Sequence, residues 1–505
     1  MYNISENITT VIVALIILGI LGWGYYRARP YGTAGILAWL QSVVLMTPWL
    51  LFFALFAAGI YLNLVFVLFL LVACTGLYIY LGRQLRTIAA KDIENQPDIK
   101  TIGDSSQLSS NEKETQPTQD KITNTELKKE QTPEFIPIPS EDLQKIKDIF
   151  GIDTFFTTET IPYQEGAIFK GNLRGDIEKV HTKLSVSLKE KLGDRYRLFL
   201  LESPEEKPVV IILPSKNDPQ PATTSQKILA VVLAIATIAT SFEAGGLLLG
   251  FDFFNQPARY SEALPIALGL CAVLGIHEVA HQVLAKHHNV CFSWPFFLPA
   301  WQIGSFGSVN RFESAIPNRK VLFDVAFAGP AAGGILSLAM LLVGLLLSHE
   351  GSMFQMPSEF FRASVLVGTL ARAILGSAVN QNIVDVHPLA IIGWLGLVIT
   401  ALNLMPAGQL DGGRIIQAIY ARKVAGRATF FTFVVLVIAS LVNPLALYWA
   451  IIILVLQRNL ERPCLNELIE PDDLRATLCL LALFVAIATL FPLTPALAGR
   501  LGIGG

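Results

Sequence analysis

Three ionisable side chains at metal-binding spacing lie inside a long apolar stretch of the sequence. His277, Glu278 and His281 form an HExxH motif within the apolar run Leu264–Leu284. On a helix, residues i and i+4 project from one face, so both imidazoles can share a metal ion while Glu278 lies beside them. Ionisable groups buried in a membrane are costly and are typical of functional sites. The motif therefore predicts a zinc-dependent hydrolytic site, with a buried structural histidine pair as the alternative.

The sequence offers two candidates for a third metal ligand, which a catalytic zinc ion usually needs in addition to a water. His287 follows His281 at the spacing of metalloproteases whose third ligand is a histidine, but Leu284 stands where those enzymes break the helix with a glycine. On a continuing helix, His287 points away from His281 and is expected at a solvated helix end. Asp411 is the better candidate, and we predict that it completes a site for one zinc ion per chain.

Asp411 lies in a segment whose composition predicts a tight turn between two helices. Residues Asn403–Gly413 read NLMPAGQLDGG. Pro406 ends the incoming helix, Gly408 permits the turn, and the glycines after Asp411 allow close backbone approach. Alternating spans place this turn and the HExxH motif at the same cytoplasmic depth. The alternative role for Asp411 is a helix cap in an Asp-Gly-Gly turn.

The composition identifies a polytopic α-helical membrane protein. Of the 505 residues, 52% are hydrophobic and 15% are charged, and several apolar runs are long enough to cross a bilayer. We predict about nine to ten transmembrane helices, near residues 10–26, 36–58, 61–82, 226–246, 262–286, 321–348, 387–405, 427–442, 444–457 and 474–494. The short pair around Asn443 forms two spans, one kinked span or a re-entrant hairpin. Most basic residues near the span ends, including Arg319 and Arg414, fall on one side, which the positive-inside rule makes cytoplasmic.

Changes in composition divide the chain into four parts. Residues 1–91 form an N-terminal three-span membrane unit, 92–140 a disordered linker, 141–215 a soluble α+β domain, and 225–498 the intramembrane core that carries the chemistry. Within the α+β domain we predict helix Glu141–Phe150, strands Thr154–Ile161 and Gly166–Gly171, helix Arg174–Leu192, and strands Arg195–Glu202 and Pro208–Leu213. This domain is inserted between spans three and four and is expected to be cytoplasmic. It docks partners, gates the membrane site, or is a passive insert.

A broken aromatic segment follows the HExxH helix. Cys291–Phe312 alternates aromatic residues with prolines and glycines and is too interrupted for a transmembrane helix. We interpret it either as a membrane-embedded hairpin whose edge pairs with an unwound substrate, or as an interfacial loop with aromatic anchors. The small residues of Ala328–Gly334 are expected to let the next helix pack closely against the site.

The two metal-binding motifs together resemble those of the site-2 protease family of intramembrane zinc metalloproteases. The resemblance is carried by HExxH in one span and NxxPxxxLDGG in a later one. Gly304–Ser308, Ala328–Pro330 and Gly171–Gly175 are similar to the cyanobacterial and chloroplast branch, the ethylene-dependent gravitropism-deficient and yellow-green proteases. The resemblance covers about residues 140–500 and is weak in the N-terminal three-span unit.

Carried onto this sequence, the resemblance implies that His277, His281 and Asp411 bind zinc and that Glu278 activates the water. A carboxylate in that place can take a proton from water and deliver it to the leaving amine. Asn403, in the same motif as Asp411, is our candidate for positioning substrate or stabilising the oxyanion. The alternative is that its amide only satisfies local backbone groups.

These features predict an intramembrane zinc metalloendopeptidase that cleaves transmembrane segments of membrane-anchored proteins near the cytoplasmic or stromal face, as in regulated intramembrane proteolysis. The alternative is a divalent-metal transporter, because intramembrane His and Glu can also form a permeation site. A transporter would carry further ionisable groups along its spans, whereas the later spans hold few, chiefly Asp324.

Charge and cysteine content exclude other classes of partner and site. The net charge of -2, without a basic run interleaved with aromatics, argues against a nucleic-acid partner. The five cysteines lack a CxxC pair, which argues against a cysteine zinc site or a disulfide framework. No Arg-rich, Ser-rich transit peptide precedes the first apolar run, which favours a bacterial or organelle-encoded protein, and we expect a cyanobacterial-type protein of the plasma or thylakoid membrane.

Overall fold

The computed structural model describes two separate parts of the chain. The described residues are 24–57, isolated positions from 22 to 84, and 138–503, apart from residues 164, 204, 206, 442 and 458. They fall into two compact units, Met1–Lys129 and Glu130–Gly505. In the first unit, helix α1 (Gly32–Ala57) coincides with the predicted span at 36–58. The predicted spans at 10–26 and 61–82 and the linker at 92–140 lie largely outside the described residues.

The second unit begins with a small α+β domain that has its own apolar core. Its elements are α2 (Ser140–Lys147), β1 (Phe155–Tyr163), β2 (Gly166–Leu173), α3 (Ile177–Leu192), β3 (Tyr196–Glu202) and β4 (Pro208–Pro214). The strands form one antiparallel sheet in the order β1-β2-β4-β3. Val180, Leu184 and Leu188 follow helical spacing along α3 and lie in the core with Phe169 and Ile212 of the sheet. Each element overlaps a predicted one, while the insertion of the domain between spans three and four stays a prediction.

The remainder of the second unit is mainly helical. Its elements are α4 (Thr224–Leu248), α5 (Tyr260–His287), β5 (Phe296–Ala300), β6 (Gly304–Val309), α6 (Arg319–Leu346), β7 (Phe354–Pro357), α7 (Val365–Leu375), β8 (Ile383–Val386), α8 (Pro388–Asn403), α9 (Asp411–Ala439), α10 (Pro444–Ile452), α11 (Asp473–Leu490) and α12 (Pro495–Arg500). Among the described residues, four helices are long and apolar enough to cross a membrane, namely α4, α5, α6 and α11. Helix α8 is apolar but shorter. The architecture is therefore that of a helical membrane protein, and the total of nine or ten spans stays a prediction.

Helix α9 begins well before the span predicted at 427–442. It runs from Asp411 to Ala439 as two helical stretches joined at a kink, and the stretch after the kink overlaps the predicted span. The glycines that follow Asp411 are helical, and the helix is instead interrupted at Ala421, whose φ is 61°. As a result, Asp411 stands in the first turn of a helix, where the exposed backbone N–H groups favour a negative charge.

Helix α6 lies at the centre of the membrane core, in contact with α5, α8 and α9. Glycines allow the backbones of α6 and α8 to approach closely. A Cβ atom on Gly344 would overlap the backbone of Ala390, and one on Gly393 would overlap Leu341. This tight pair fixes the first turns of α8, the helix whose last residue leads into the turn to Asp411.

Strands β5 and β6 form an antiparallel hairpin within Cys291–Phe312. The segment thus contains a hairpin, while its place relative to the membrane and its pairing with substrate stay predictions. The hairpin packs against α4, where Thr240 Oγ1 donates to the carbonyl of Gly304 at 2.5 Å. At its turn, Trp301 stacks on Phe254 with ring centroids 4.9 Å apart.

An extended segment between α10 and α11, residues 461–468, joins the α+β domain to the membrane core, and we call it the strap. Its Leu465 carbonyl accepts a hydrogen bond from Leu200 N of β3 at 2.8 Å, and Glu467 N donates back to the Leu200 carbonyl at 2.9 Å. On its other side, Leu465 N donates to the carbonyl of Ile316 at 2.8 Å. The strap therefore adds to the edge of the sheet and fixes it to the residues that precede α6.

Candidate metal centre

The two histidines of the HExxH motif lie side by side on α5 and are buried. Their Nε2 atoms are 3.1 Å apart, and the ring centroids are 4.8 Å apart. His281 Nδ1 lies 2.7 Å from the carbonyl oxygen of Val325 in α6. A carbonyl can only accept a hydrogen bond, so this contact places the proton on Nδ1 and leaves Nε2 free to bind a metal.

Asp411 reaches the same point from the start of α9. Its Oδ2 atom lies 3.2 Å from His277 Nε2 and 3.4 Å from His281 Nε2. The preceding turn has a positive φ of 50° at Gly408, and a Cβ on Gly412 would overlap the carbonyl of Leu404. The turn predicted around Pro406 and Gly408 thus brings a residue distant in sequence against the two histidines.

The three donor atoms have the arrangement that a zinc ion requires. All lie within 4.8 Å of one another and all three residues are buried. Zinc bound tetrahedrally at about 2.0–2.1 Å from each ligand needs ligand atoms roughly 3.3 Å apart, and the three separations cluster around that value. Room for the imidazole of His281 is provided by α6, because a Cβ atom on Gly329 would overlap His281 Nε2. The small residues predicted to allow close packing therefore face the metal site.

Glu278 lies beside the metal donors and is held by one residue near the end of β6 and one directly after it. Its Oε1 atom accepts a hydrogen bond from Ser308 Oγ, and its Oε2 atom accepts one from Asn310 Nδ2 at 2.8 Å. Oε1 also lies 4.0 Å from His277 Nε2. A buried carboxylate with this geometry is placed to accept a proton from a water at the metal.

Behind Asn310 stands a buried ion pair. Arg414 Nη2 donates to the main-chain carbonyl of Asn310 at 2.5 Å, and Arg414 Nε donates to Glu461 Oε2 of the strap at 2.9 Å. Sequence reasoning did not find Asn310 or Glu461, and it counted Arg414 only as a cytoplasmic positive charge. The one sequence feature that could have indicated a role for Arg414 at the site is its position a single helical turn after Asp411.

The amide of Asn403 binds main-chain groups. Its Nδ2 atom donates to the carbonyl of Ile399 at 2.9 Å and to that of Phe306 in the hairpin at 3.3 Å. The contact to Phe306 is close because Gly307 has a φ of 101° and no side chain on the face next to Asn403. Asn403 therefore connects α8 to the hairpin, and its role toward substrate stays a prediction.

His287 lies outside the group of metal donors. It is exposed, and its ring contacts that of His288 with centroids 5.2 Å apart. His288 Nε2 lies 3.2 Å from Asp324 Oδ2. His287 and His288 thus lie at the end of α5, apart from the metal donors. This is the position predicted for His287 on a helix that continues past His281.

Comparison with known proteins gives matches to both the membrane core and the α+β domain. Residues 265–442 match the model of peptidase family M50, and residues 144–221 match the EGY3 middle domain. The chain is 37% identical over 380 residues to probable zinc metalloprotease EGY2, chloroplastic, of Oryza sativa subsp. indica, covering 73% of this chain and 70% of that protein. It is 36% identical over 401 residues to probable zinc metalloprotease EGY1, chloroplastic, of Arabidopsis thaliana, covering 72% and 73%. No solved structure matches significantly.

Proposed function

The chain belongs to peptidase family M50, the site-2 proteases, and from that premise we propose that His277, His281 and Asp411 hold its zinc ion and that Glu278 is its general base. As a member of this family the protein is an intramembrane zinc metalloprotease, and the family assignment selects this activity over divalent-metal transport. The observation that carries the residue assignment is the buried triangle of three donor atoms with a carboxylate beside it.

The residues around the site have separate roles in peptide hydrolysis. When bound, zinc lowers the pKa of a coordinated water to about 7 and polarises the scissile carbonyl. Glu278 takes one proton from the attacking water as the new carbon–oxygen bond forms. It then passes that proton to the amine nitrogen as the carbon–nitrogen bond breaks. Ser308 and Asn310 hold both carboxylate oxygens, which keeps Glu278 directed toward the reacting atoms.

Protein substrates within the bilayer must present an extended backbone to this site. The hairpin of β5 and β6 carries Ser308 and Asn310 near its end and, among the described residues, pairs with no third strand. We propose that a free edge of this hairpin pairs with an unwound stretch of the substrate, which β-addition stabilises by main-chain hydrogen bonds. In this arrangement Asn403, bonded to Phe306, supports the hairpin and lies close to the bound peptide.

The names of the relatives and the pattern of basic residues support a proposal for the membrane and for the side of it on which cleavage occurs. The relatives EGY1 and EGY2 are named as chloroplastic, which favours the thylakoid over a bacterial plasma membrane. We propose that cleavage takes place near the cytoplasmic or stromal face as part of regulated intramembrane proteolysis. The α+β domain lies on the same side in this proposal, where it is available to dock partners.

Cleavage of a membrane-spanning test substrate in proteoliposomes tests the assignment. Glu278→Gln should abolish cleavage and retain zinc, because the amide cannot accept the proton. Glu262→Gln, at the exposed start of the same helix, is the matched control and should cleave as the wild type does. Equal cleavage by wild type and Glu278→Gln would refute the role of Glu278, and zinc uptake into vesicles would restore the transporter alternative.

A further inference from the structure

A buried ion pair stands directly behind the catalytic site. Arg414 is 1% exposed and Glu461 is 4% exposed, with Nε and Oε2 2.9 Å apart. Burying two opposite charges contributes little net stability, because the desolvation cost offsets their attraction. A pair of this kind therefore calls for a reason other than stability.

The surroundings of the pair fix its geometry. The Arg414 guanidinium lies 5.6 Å from the ring centroid of Phe292 and 5.2 Å from that of Phe312. Glu461 Oε1 accepts from Arg462 N at 3.1 Å, and the Glu461 carbonyl accepts from Gln417 Nε2 at 3.1 Å. Both charged groups are thus held in one orientation by aromatic faces and hydrogen bonds.

The free end of the guanidinium is directed toward the catalytic carboxylate through one residue. Arg414 Nη2 donates to the main-chain carbonyl of Asn310, and the side chain of the same asparagine donates to Glu278 Oε2 at 2.8 Å. The other buried amide atom, Asn310 Oδ1, has no hydrogen-bond partner among the described residues. Asn310 Nδ2 also donates to Ser308 Oγ at 3.3 Å, so the position of Asn310 depends on the arginine behind it and on the carboxylate and hydroxyl in front of it.

We infer that Arg414 and Glu461 are positioning residues, which hold Asn310 and thereby set the orientation of the Glu278 carboxylate. This inference rests on the proposed role of Glu278 as the general base. Since the pair is buried and its nearest approach to a metal donor is Arg414 Nη1 to Asp411 Oδ1 at 3.9 Å, its loss should lower kcat while KM and zinc content stay the same. Misplacement of a catalytic group by about 1 Å lowers rates by about 10- to 100-fold.

The test removes both charges together, so that no unpaired charge is left buried. The variants are Arg414→Met with Glu461→Gln, Asn310→Ala, and the triple combination, each assayed as full-length protein in proteoliposomes with a membrane-spanning substrate. Arg319→Met is the matched control. Arg319 is also a buried arginine beside the strap, but its Nε and Nη2 atoms donate to the carbonyls of Ala418 and Ile419, away from Glu278.

The expected result is a kcat about 10- to 100-fold lower per zinc-loaded molecule for the double variant and for Asn310→Ala, with KM and zinc content unchanged. The triple variant should be no slower than Asn310→Ala, because residues that act in series are not additive. Arg319→Met should keep the wild-type kcat. A wild-type kcat in the double variant, or additive losses in the triple variant, would overturn the inference. Glu278→Gln is measured alongside, and full activity there would instead overturn the proposed function.

Discussion

Helix α5 and the residue that caps its end, His288, contribute histidines to two clusters that each contain a carboxylate from another element. In the first, Asp411 lies 3.2 and 3.4 Å from His277 and His281. In the second, Asp324 lies 3.2 Å from His288. Both clusters join the helix to a carboxylate from another element, yet only the first supplies three donors for a metal ion among the described residues.

The difference lies in what the nearby arginine does. Arg475 donates to both oxygens of Asp324, at 2.7 and 2.8 Å, so that carboxylate already has a cation. Arg414 lies 3.9 Å from Asp411, and its close contacts are to Glu461 and Asn310. The negative charge of Asp411 is therefore left for a metal ion. Two conditions therefore define a metal site here. The ligand side chains must lie close together, and the adjacent arginine must pair with a carboxylate other than the metal ligand.

The largest effect is expected from exchanging the Asp411 carboxylate for an amide, with the same exchange at Asp324 as the control. Asp411→Asn should lose zinc and lower cleavage on the order of 100-fold or more, because a neutral amide is a poor zinc ligand. Asp324→Asn should keep its zinc and its activity, since Arg475 and His288 form no metal site. Metal analysis of both purified variants checks the comparison, and equal zinc content in the two would contradict it.

A methyl group placed against His281 should have nearly as large an effect. Gly329→Ala puts a Cβ where His281 Nε2 lies, so the imidazole must move and zinc should be lost, with cleavage lower on the order of 100-fold. Gly334→Ala is the matched control on α6, because its Cβ would meet only Thr400 Cγ2 at an ordinary 3.5 Å. Similar zinc content in both variants would show that the close approach of α6 is not required.

Releasing Arg414 from the strap should weaken metal binding moderately. In Glu461→Gln the arginine loses its counter-charge and Asp411 becomes the nearest carboxylate, so arginine and zinc compete for it. We expect the zinc dissociation constant to rise about 10-fold. Competition with a chelator measures this constant, and an unchanged value would mean that Glu461 does not keep Arg414 away from Asp411.

The smallest effect is expected at the second cluster. His288→Asn removes one partner of Asp324 but leaves both hydrogen bonds from Arg475. The partly exposed contact should contribute about 0.5 kcal/mol to the free energy of unfolding at most, and zinc content should not change. Thermal denaturation with metal analysis tests this, and any loss of zinc would show that the two clusters are coupled.

Sequence patterns predicted the local parts of the site better than the distant ones. Helical spacing placed His277 and His281 on one face, and alternating apolar residues predicted the elements of the α+β domain. Asp411 and the close backbone approach at the two glycines after it were predicted from composition, whereas the helix that continues through those glycines was not. Charge counting treated Arg414 only as a cytoplasmic positive charge, because its partner Glu461 comes from the strap and nothing in the local sequence connects them. The pairing between the strap and β3 could not be predicted either, because it joins segments that are far apart in the sequence.

X-ray absorption at the zinc edge of the purified full-length protein tests the central claim most directly. We predict one zinc per chain with a first shell of nitrogen and oxygen only, at about 2.0–2.1 Å, including two imidazoles. In Asp411→Asn, protein-bound zinc should be lost or the shell should lose its carboxylate oxygen. Sulfur in the wild-type shell, or an identical shell and occupancy in Asp411→Asn, would contradict a site made of His277, His281 and Asp411.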